Sequence, residues 1–338
     1  MVGQDTLADE HDALLLDLDG TVYCGKQPIV GATQALAQMS ARTIFLTNNA
    51  SRRPAELTLQ LQSMGIDAST HDIVTSAQSA ARLLASQLAP NDRVLVVGTN
   101  ALAEEIAKVG LQPVRNCTEA PVAVAQGHSP TTGWQNLAEA ALAIRAGAIW
   151  VVSNLDTTFP SERGLVPGNG SMVAALRATV DAQPQLAGKP TVAMIDAAKS
   201  RGAFHTPLVI GDRLDTDIAG ANAAGLPSLL VLTGVSTPLD VLVAPPAERP
   251  TYLAHNLQAL TRPSALLRVG HDPSWQIEFE DDIAMVSTTD RCLDVDGLSI
   301  VRALAAAAWQ DHNASPRRFR GQDVTAGSAL RRAGLPLG

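Results

Sequence analysis

Aromatic residues are scarce: five Phe, four Trp and two Tyr in 338 residues. So few side chains are available as platforms on which a nucleic-acid base could stack. Basic residues are in the minority as well, 25 Lys and Arg against 33 Asp and Glu, for a formal charge of −8. That balance gives no footprint for neutralising a nucleic-acid backbone, and no nucleic-acid partner is expected. The three cysteines, Cys24, Cys117 and Cys292, are odd in number, widely spaced and form no CxxC pair. A disulfide framework and a thiolate metal site are thereby excluded, and a reducing cytosol is the expected compartment. The opening MVGQDTLADEHDA is acidic, without the basic and apolar regions of a signal peptide. The most apolar stretches, such as 140–152, are short and interrupted by Arg145. No membrane span is expected.

What is present is apolar mass: 46% of the chain is hydrophobic and only 17% charged, enough for a large core in two or three units. Residues 13–18 are a short apolar run ending in acid, ALLLDL, which suits a parallel strand covered on both faces. Helices are expected over 31–39 and 54–64, with a strand between them over 43–46. After a long interval come a helix over 196–204, a strand over 207–210, a helix over 217–224 and a strand over 228–232. Alternation of this kind implies an α/β fold built on a Rossmann-like parallel sheet. Ligands bind beyond the carboxyl ends of such strands, and Asp17, Thr47 and Asp212 all fall at predicted ends.

Between Thr47 and Lys189 lie 141 residues with a strand–helix rhythm of their own. They predict an inserted α/β cap over residues 80–187, leaving 1–79 and 188–262 as the core. From about Pro263 the character changes. Trp275, Ile277 and Phe279 alternate with polar residues, 283–286 reads as a partner strand, and 298–310 as an Ala-rich helix. The stretch from Ser315 holds five arginines against one Asp and reads as an add-on with a loose end. Residues 263–338 are therefore a C-terminal extension without an assigned role.

The strongest local signal is Asp17-Leu18-Asp19-Gly20-Thr21-Val22-Tyr23. Two carboxylates at i and i+2 share one side of an extended chain, and Gly20 permits a sharp departure. Crowded acids of this type are stable around a divalent cation. An EF-hand is excluded, because Val22 and Pro28 stand where the loop needs Gly and an acid. A P-loop ending in Gly188-Lys189 fails too: Gln183 replaces its first glycine and Pro190 follows the lysine.

DLDGTVY resembles the first motif of the haloacid-dehalogenase-superfamily phosphatases. LTNNAS at 46–51 resembles the second, Gly188-Lys189-Pro190 the third, and GDRLDTDI at 211–218 the fourth, in the family's order. Residues 153–171 (SNLDTTFPSERGLVPGNGS) are similar to a segment of the subgroup that contains NagD-like, nitrophenyl, phosphoglycolate and glycerol-phosphate phosphatases. The resemblance spans about residues 12–262. It implies that Asp17 attacks phosphorus to form an aspartyl-phosphate, while Asp19 protonates the leaving alcohol and then activates water. It further implies Mg2+, with Mn2+ or Co2+ able to substitute, held by Asp17, the Asp19 carbonyl and Asp212 and oriented by Asp217. Thr47, Asn48 and Lys189 would hold phosphoryl oxygens; Asn49 is open between substrate contact and loop support. The expected enzyme is a cytoplasmic phosphomonoester hydrolase acting on a small metabolite, glycerol 3-phosphate first. Phosphoglycolate or a nucleoside monophosphate is the alternative. Arg163 is the lone basic residue of the 153–171 segment. A binding or regulatory module on an inactive phosphatase fold is the non-enzyme alternative, and no motif residue is lost to favour it.

The tail faintly resembles a fragment of an N-acetyltransferase. Asp323 departs from the last position of the R/Q-x-x-G-x-G/A loop in Arg318–Asp323, so no acetyltransferase activity is expected. Every motif residue lies before Thr261, where the chemistry is expected to reside.

Overall fold

The computed structural model describes residues 5–161, 164–289, 296–311 and 316–338. Arg163, Cys292 and Ser315 lie outside the described residues. The chain divides into two compact units, Met1–Cys24 with Pro28–Thr43 and Phe204–Gly338, and Gly25–Gln27 with Ile44–Ala203.

In the first unit the strands Tyr252–Ala254, Ser228–Val231, Pro207–Gly211 and Ala13–Asp17 lie side by side in that order, each pair parallel. All five residues of Ala13–Asp17 are buried, as expected of a strand covered on both faces. The expected helix over 217–224 is split: residues Leu214–Ile218 form a π-turn and Ala219–Ala223 an α-helical turn. The Asp217 carboxylate accepts from the Arg213 amide at 3.1 Å, capping the widened turn from within.

The C-terminal extension lies in this same unit. Trp275–Glu280 pairs antiparallel with Ile283–Thr288, as expected, and Arg318–Gly321 adds to the latter in parallel. The tail is not a loose end. Phe319 is fully buried, Val324–Arg332 is helical, and the Gly338 amide donates to the Phe319 carbonyl. One apolar cluster joins Ile218, Leu230, Val241 and Leu253 to Trp275, Val286, Leu304, Phe319 and Leu330. Five arginines suggested solvation, but the small apolar residues between them, Ala326, Ala329 and Leu330, form a helix face that is buried.

In the second unit, residues 45–47, the end of the strand Arg42–Thr47, pair in parallel with Ile73–Thr75. A five-stranded sheet follows in the order Gln185–Leu186, Ile149–Val152, Ala123–Gln126, Arg93–Val97, Gln112–Val114, parallel throughout. Ala77, Ala80, Leu102 and Ile106 pack helices Ser76–Ala85 and Asn100–Lys108 against it. Ala140, Ile144, Val173 and Leu176 do the same from Trp134–Arg145 and Asn169–Arg177. The helix expected over 196–204 instead runs Val192–Lys199. Thr191, extended at φ −68 and ψ 146, precedes it at the cap position; Gly202 disfavours continuation beyond the observed end. No helix among the described residues is long and apolar enough to cross a membrane.

Candidate active site

In the first unit, Leu16 pairs with Ile210, so Asp17 and Asp212 leave neighbouring parallel strands at the same edge. Side-chain oxygens of Asp17, Asp212 and Asp217 all lie within 4.8 Å of one another. Asp212 and Asp217 are 1% and 2% exposed and Asp17 8%. Three carboxylates this close repel by roughly 3–4 kcal/mol per pair at a typical protein dielectric. Neutral donors fix two of them in place. Asp212 accepts the Val235 amide at 2.7 Å and the Thr21 hydroxyl at 3.5 Å, and Asp217 accepts the Arg213 amide. Hard oxygen donors in a buried group of three fit Mg2+. Arg213 itself is turned onto Asp215 at 2.8 Å.

Asp19 is not part of that carboxylate group. Its side chain is exposed and accepts from the Tyr23 hydroxyl at 3.4 Å. The turn that follows Asp19 depends on Gly20, which has φ +93 and whose added Cβ would sit 2.6 Å from Asp212 Oδ2. The Thr233 hydroxyl donates to the Gly20 carbonyl at 2.5 Å, and a Cβ on Gly234 would lie 1.9 Å from Asp212 Oδ2. Thr233, Gly234 and Val235 were missed in the sequence. Their signal was the Thr-Gly pair just past the predicted strand over 228–232, another carboxyl end at the same sheet edge.

In the second unit the structure brings Thr47, Asn48, Asn49 and Lys189 together. Thr47 ends its strand and is buried, and its hydroxyl accepts the Asn49 amide at 3.1 Å. Asn48 grips the backbone of Lys189. Its Oδ1 accepts the Lys189 amide at 2.9 Å, and its Nδ2 donates to the Lys189 carbonyl at 3.5 Å. The Lys189 ammonium, on a side chain 6% exposed overall, donates to the Leu46 carbonyl at 3.4 Å. Asn49 spends its side-chain oxygen on the Ser51 amide and hydroxyl, both at 2.8 Å, which is loop support. Ser76, Asn154 and Asn169 also converge here and were not singled out in the sequence. The only signal for the last two was their place in the SNLD…PGNG segment.

The first unit offers an oxygen-ligand cation site that includes a nucleophile-type carboxylate, with an exposed acid two residues away; the second unit by itself offers a buried ammonium and a hydroxyl suited to an oxyanion.

Residues 14–112 match the family model described as haloacid dehalogenase-like hydrolase, and residues 186–260 a HAD-hydrolase-like model. Residues 272–335 match a GCN5-related N-acetyltransferase-like domain. The chain is 54% identical over 338 residues to the D-glycerol 3-phosphate phosphatase of Mycobacterium tuberculosis, covering 98% of this chain and 96% of that one. The crystal structure of the glycerol phosphate phosphatase from that organism in complex with magnesium superimposes with a TM-score of 0.94 at 55% identity. That match covers 98% of this chain and all (100%) of the other. An acid sugar phosphatase of Staphylococcus aureus is 34% identical over 237 residues, 69% of this chain and 90% of its own length.

Proposed function

The chain belongs to the haloacid dehalogenase-like hydrolases and is a phosphoric monoester hydrolase; from that premise we propose that it hydrolyses glycerol 3-phosphate in the cytoplasm with Mg2+. The observation that carries the chemistry is the buried group of Asp17, Asp212 and Asp217 carboxylates, with exposed Asp19 two residues beyond the first. The substrate rests on similarity along nearly the whole chain to an enzyme named for that ester.

Asp17, Asp212 and Asp217 would hold the Mg2+, with the Asp19 main-chain carbonyl completing the protein's share. Bound there, the ion supplies charge neutralisation for the phosphoryl oxygens. Asp17 attacks phosphorus in line and carries the phosphoryl group as an aspartyl-phosphate. Asp19 gives its proton to the leaving glycerol oxygen, then takes one from the water that releases phosphate. Its exposed carboxyl suits exchange with solvent, which a buried acid would lack. The Thr47 hydroxyl, the backbone at Asn48 and the Lys189 ammonium bind the equatorial oxygens. We assign residues 1–79 and 188–262 to the catalytic core, 80–187 to the cap and 263–338 to the extension. Packing of Ala80 and Leu84 with the cap strands supports giving the helix from residue 80 onward to the cap.

Comparing kcat/KM for glycerol 3-phosphate, phosphoglycolate and a nucleoside monophosphate at fixed Mg2+ tests the reading. Glycerol 3-phosphate should lead by about tenfold or more, ~1.4 kcal/mol at the transition state. A chelator should silence all three and added Mg2+ should restore them. A nucleotide in the lead would overturn the substrate, and full activity in a metal-stripped sample would overturn the metal.

A further inference from the structure

We propose that Asn154 is a positioning residue for the phosphate-binding groups, setting the direction of both the Thr47 hydroxyl and the Lys189 ammonium through a single peptide group at Asn48. The inference rests on the reading above that Thr47 and Lys189 bind the phosphoryl oxygens.

Asn154 is 4% exposed. Its Nδ2 donates to the Asn48 carbonyl at 2.7 Å, and its Oδ1 accepts the Asp156 amide at 3.2 Å. Only one orientation of the amide satisfies both partners, since a flip would set oxygen against the Asn48 carbonyl and nitrogen against the Asp156 N–H. Asn169, 2% exposed, donates to the Asn154 carbonyl at 2.7 Å and fixes the segment from the other side. The Ser76 hydroxyl is a second donor on the Asn48 carbonyl, at 2.6 Å.

That carbonyl belongs to the Asn48–Asn49 peptide, which is planar. In a trans peptide the C=O and N–H point in opposite directions. With the oxygen held by Asn154 and Ser76, the Asn49 N–H is aimed the other way, where it donates to Thr47 Oγ1. A hydroxyl whose oxygen accepts that bond presents its own proton elsewhere, as a donor to a phosphoryl oxygen requires. The same anchored residue carries the side chain that clamps the Lys189 backbone on both its amide and its carbonyl. Asn154 thus governs a hydroxyl and an ammonium through the Asn48 residue that it anchors. A misplacement of about 1 Å in such groups costs around 10²-fold in rate.

The test uses the full-length enzyme with Mg2+. Asn154→Asp keeps the size but turns the donor into an acceptor facing a carbonyl. The inhibition constant of inorganic phosphate should rise about 10- to 100-fold and kcat/KM fall by a similar factor. The Mg2+ half-saturation of the folded protein should stay within about twofold, because Asn154 is not one of the carboxylates assigned to the ion. A role in stability alone would lower the melting temperature and leave phosphate inhibition unchanged, and that result overturns the proposal. Should Asn154→Asp not fold, Asn169→Ser frees the Asn154 main-chain carbonyl, loosens the backbone that carries the same side chain, and should shift phosphate inhibition in the same direction by a few-fold; no shift there overturns it equally. Lys189→Ala separates the two readings. Weakened phosphate inhibition in that variant, with none in the Asn154 and Asn169 variants, refutes the positioning role alone. Unchanged inhibition in Lys189→Ala refutes the phosphate-binding assignment beneath it.

Discussion

Asp17 and Asp19 are two residues apart but in different surroundings, one 8% exposed at a strand end and the other open to solvent. The difference matches a division of labour between a nucleophile shielded from competing water and a proton carrier in contact with it. Asp17→Asn keeps the side chain's volume and removes its nucleophilic charge, so kcat should fall below detection. Asp19→Asn should lose about 10²–10⁴-fold, the usual worth of a general acid. Steady-state assay of the purified variants checks both, and near-normal turnover in either would sink the mechanism. Gly234 gives a separate test of the cation site. An added Cβ would fall 1.9 Å from Asp212 Oδ2, so the carboxylate must move. Gly234→Ala should raise the Mg2+ concentration for half-maximal activity by about tenfold or more. A Mg2+ titration identical to the parent's would show that Asp212 tolerates displacement.

At the scale of elements, the strand ends were legible because buried parallel strands are apolar until the chain must meet a ligand. Leu14–Leu16 before Asp17 and Leu208–Ile210 before Asp212 carry that pattern openly. The π-turn at Leu214–Ile218 was not legible: its residues suit an α-turn equally, and the side-chain contact from Asp217 to the Arg213 amide decides it. Nor was the register that sets Asn154 against Asn48, 106 positions away. Helix Ser299–Gln310 shows the same limit. Its Ala-rich face was readable, but Arg302 within it is 5% exposed, which composition would assign to solvent. Asp296 answers its charge at 2.7 Å and Leu253 accepts from it at 3.0 Å. Burial pushes the Asp296 carboxyl up, yet hydrogen bonding and charge from Arg302, with the Leu298 amide and Arg262, hold it below its ordinary value. Such a lowered acid contributes stability above its unfolded pKa of about 3.9, and loses it as pH falls through the folded value. Asp296→Asn leaves the Arg302 guanidinium buried and uncompensated, at a cost of about 3–5 kcal/mol. Thermal unfolding should show a deficit of several degrees from pH 5 to 8 that narrows below about pH 4. A constant deficit down to pH 3 would assign the effect to packing instead.

For the whole molecule, the sequence separates what the structure joins. All recognised motif residues precede Thr261, and nothing in residues 263–338 announced a partner: the alternation of Trp275, Ile277 and Phe279 shows one apolar face without saying what covers it. The structure answers that Ile218, Leu230, Val241 and Leu253 share a cluster with Trp275, Val286, Leu304 and Phe319. Polar ties cross the same boundary. Trp309 Nε1 donates to the Val241 carbonyl at 3.1 Å, the Arg249 guanidinium lies 5.1 Å from the centre of the Trp309 ring, and Arg302 donates to Leu253. Truncation after Arg262 would strip these partners from one side of the core. Re-exposing even four aliphatic side chains costs about 1.5–3 kcal/mol each, a total comparable to the whole stability of a domain, about 5–15 kcal/mol. The truncated chain should therefore aggregate or melt far below the intact one, although it retains every residue assigned to catalysis. Size-exclusion chromatography and thermal unfolding of residues 1–262 beside the full chain would measure this. Co-expressing residues 263–338 as a separate chain distinguishes covering from chemistry: restored solubility and phosphatase activity would mark the extension as the missing half of a core. A soluble, active truncation melting with the parent would mean the shared cluster contributes little to holding the catalytic strands together.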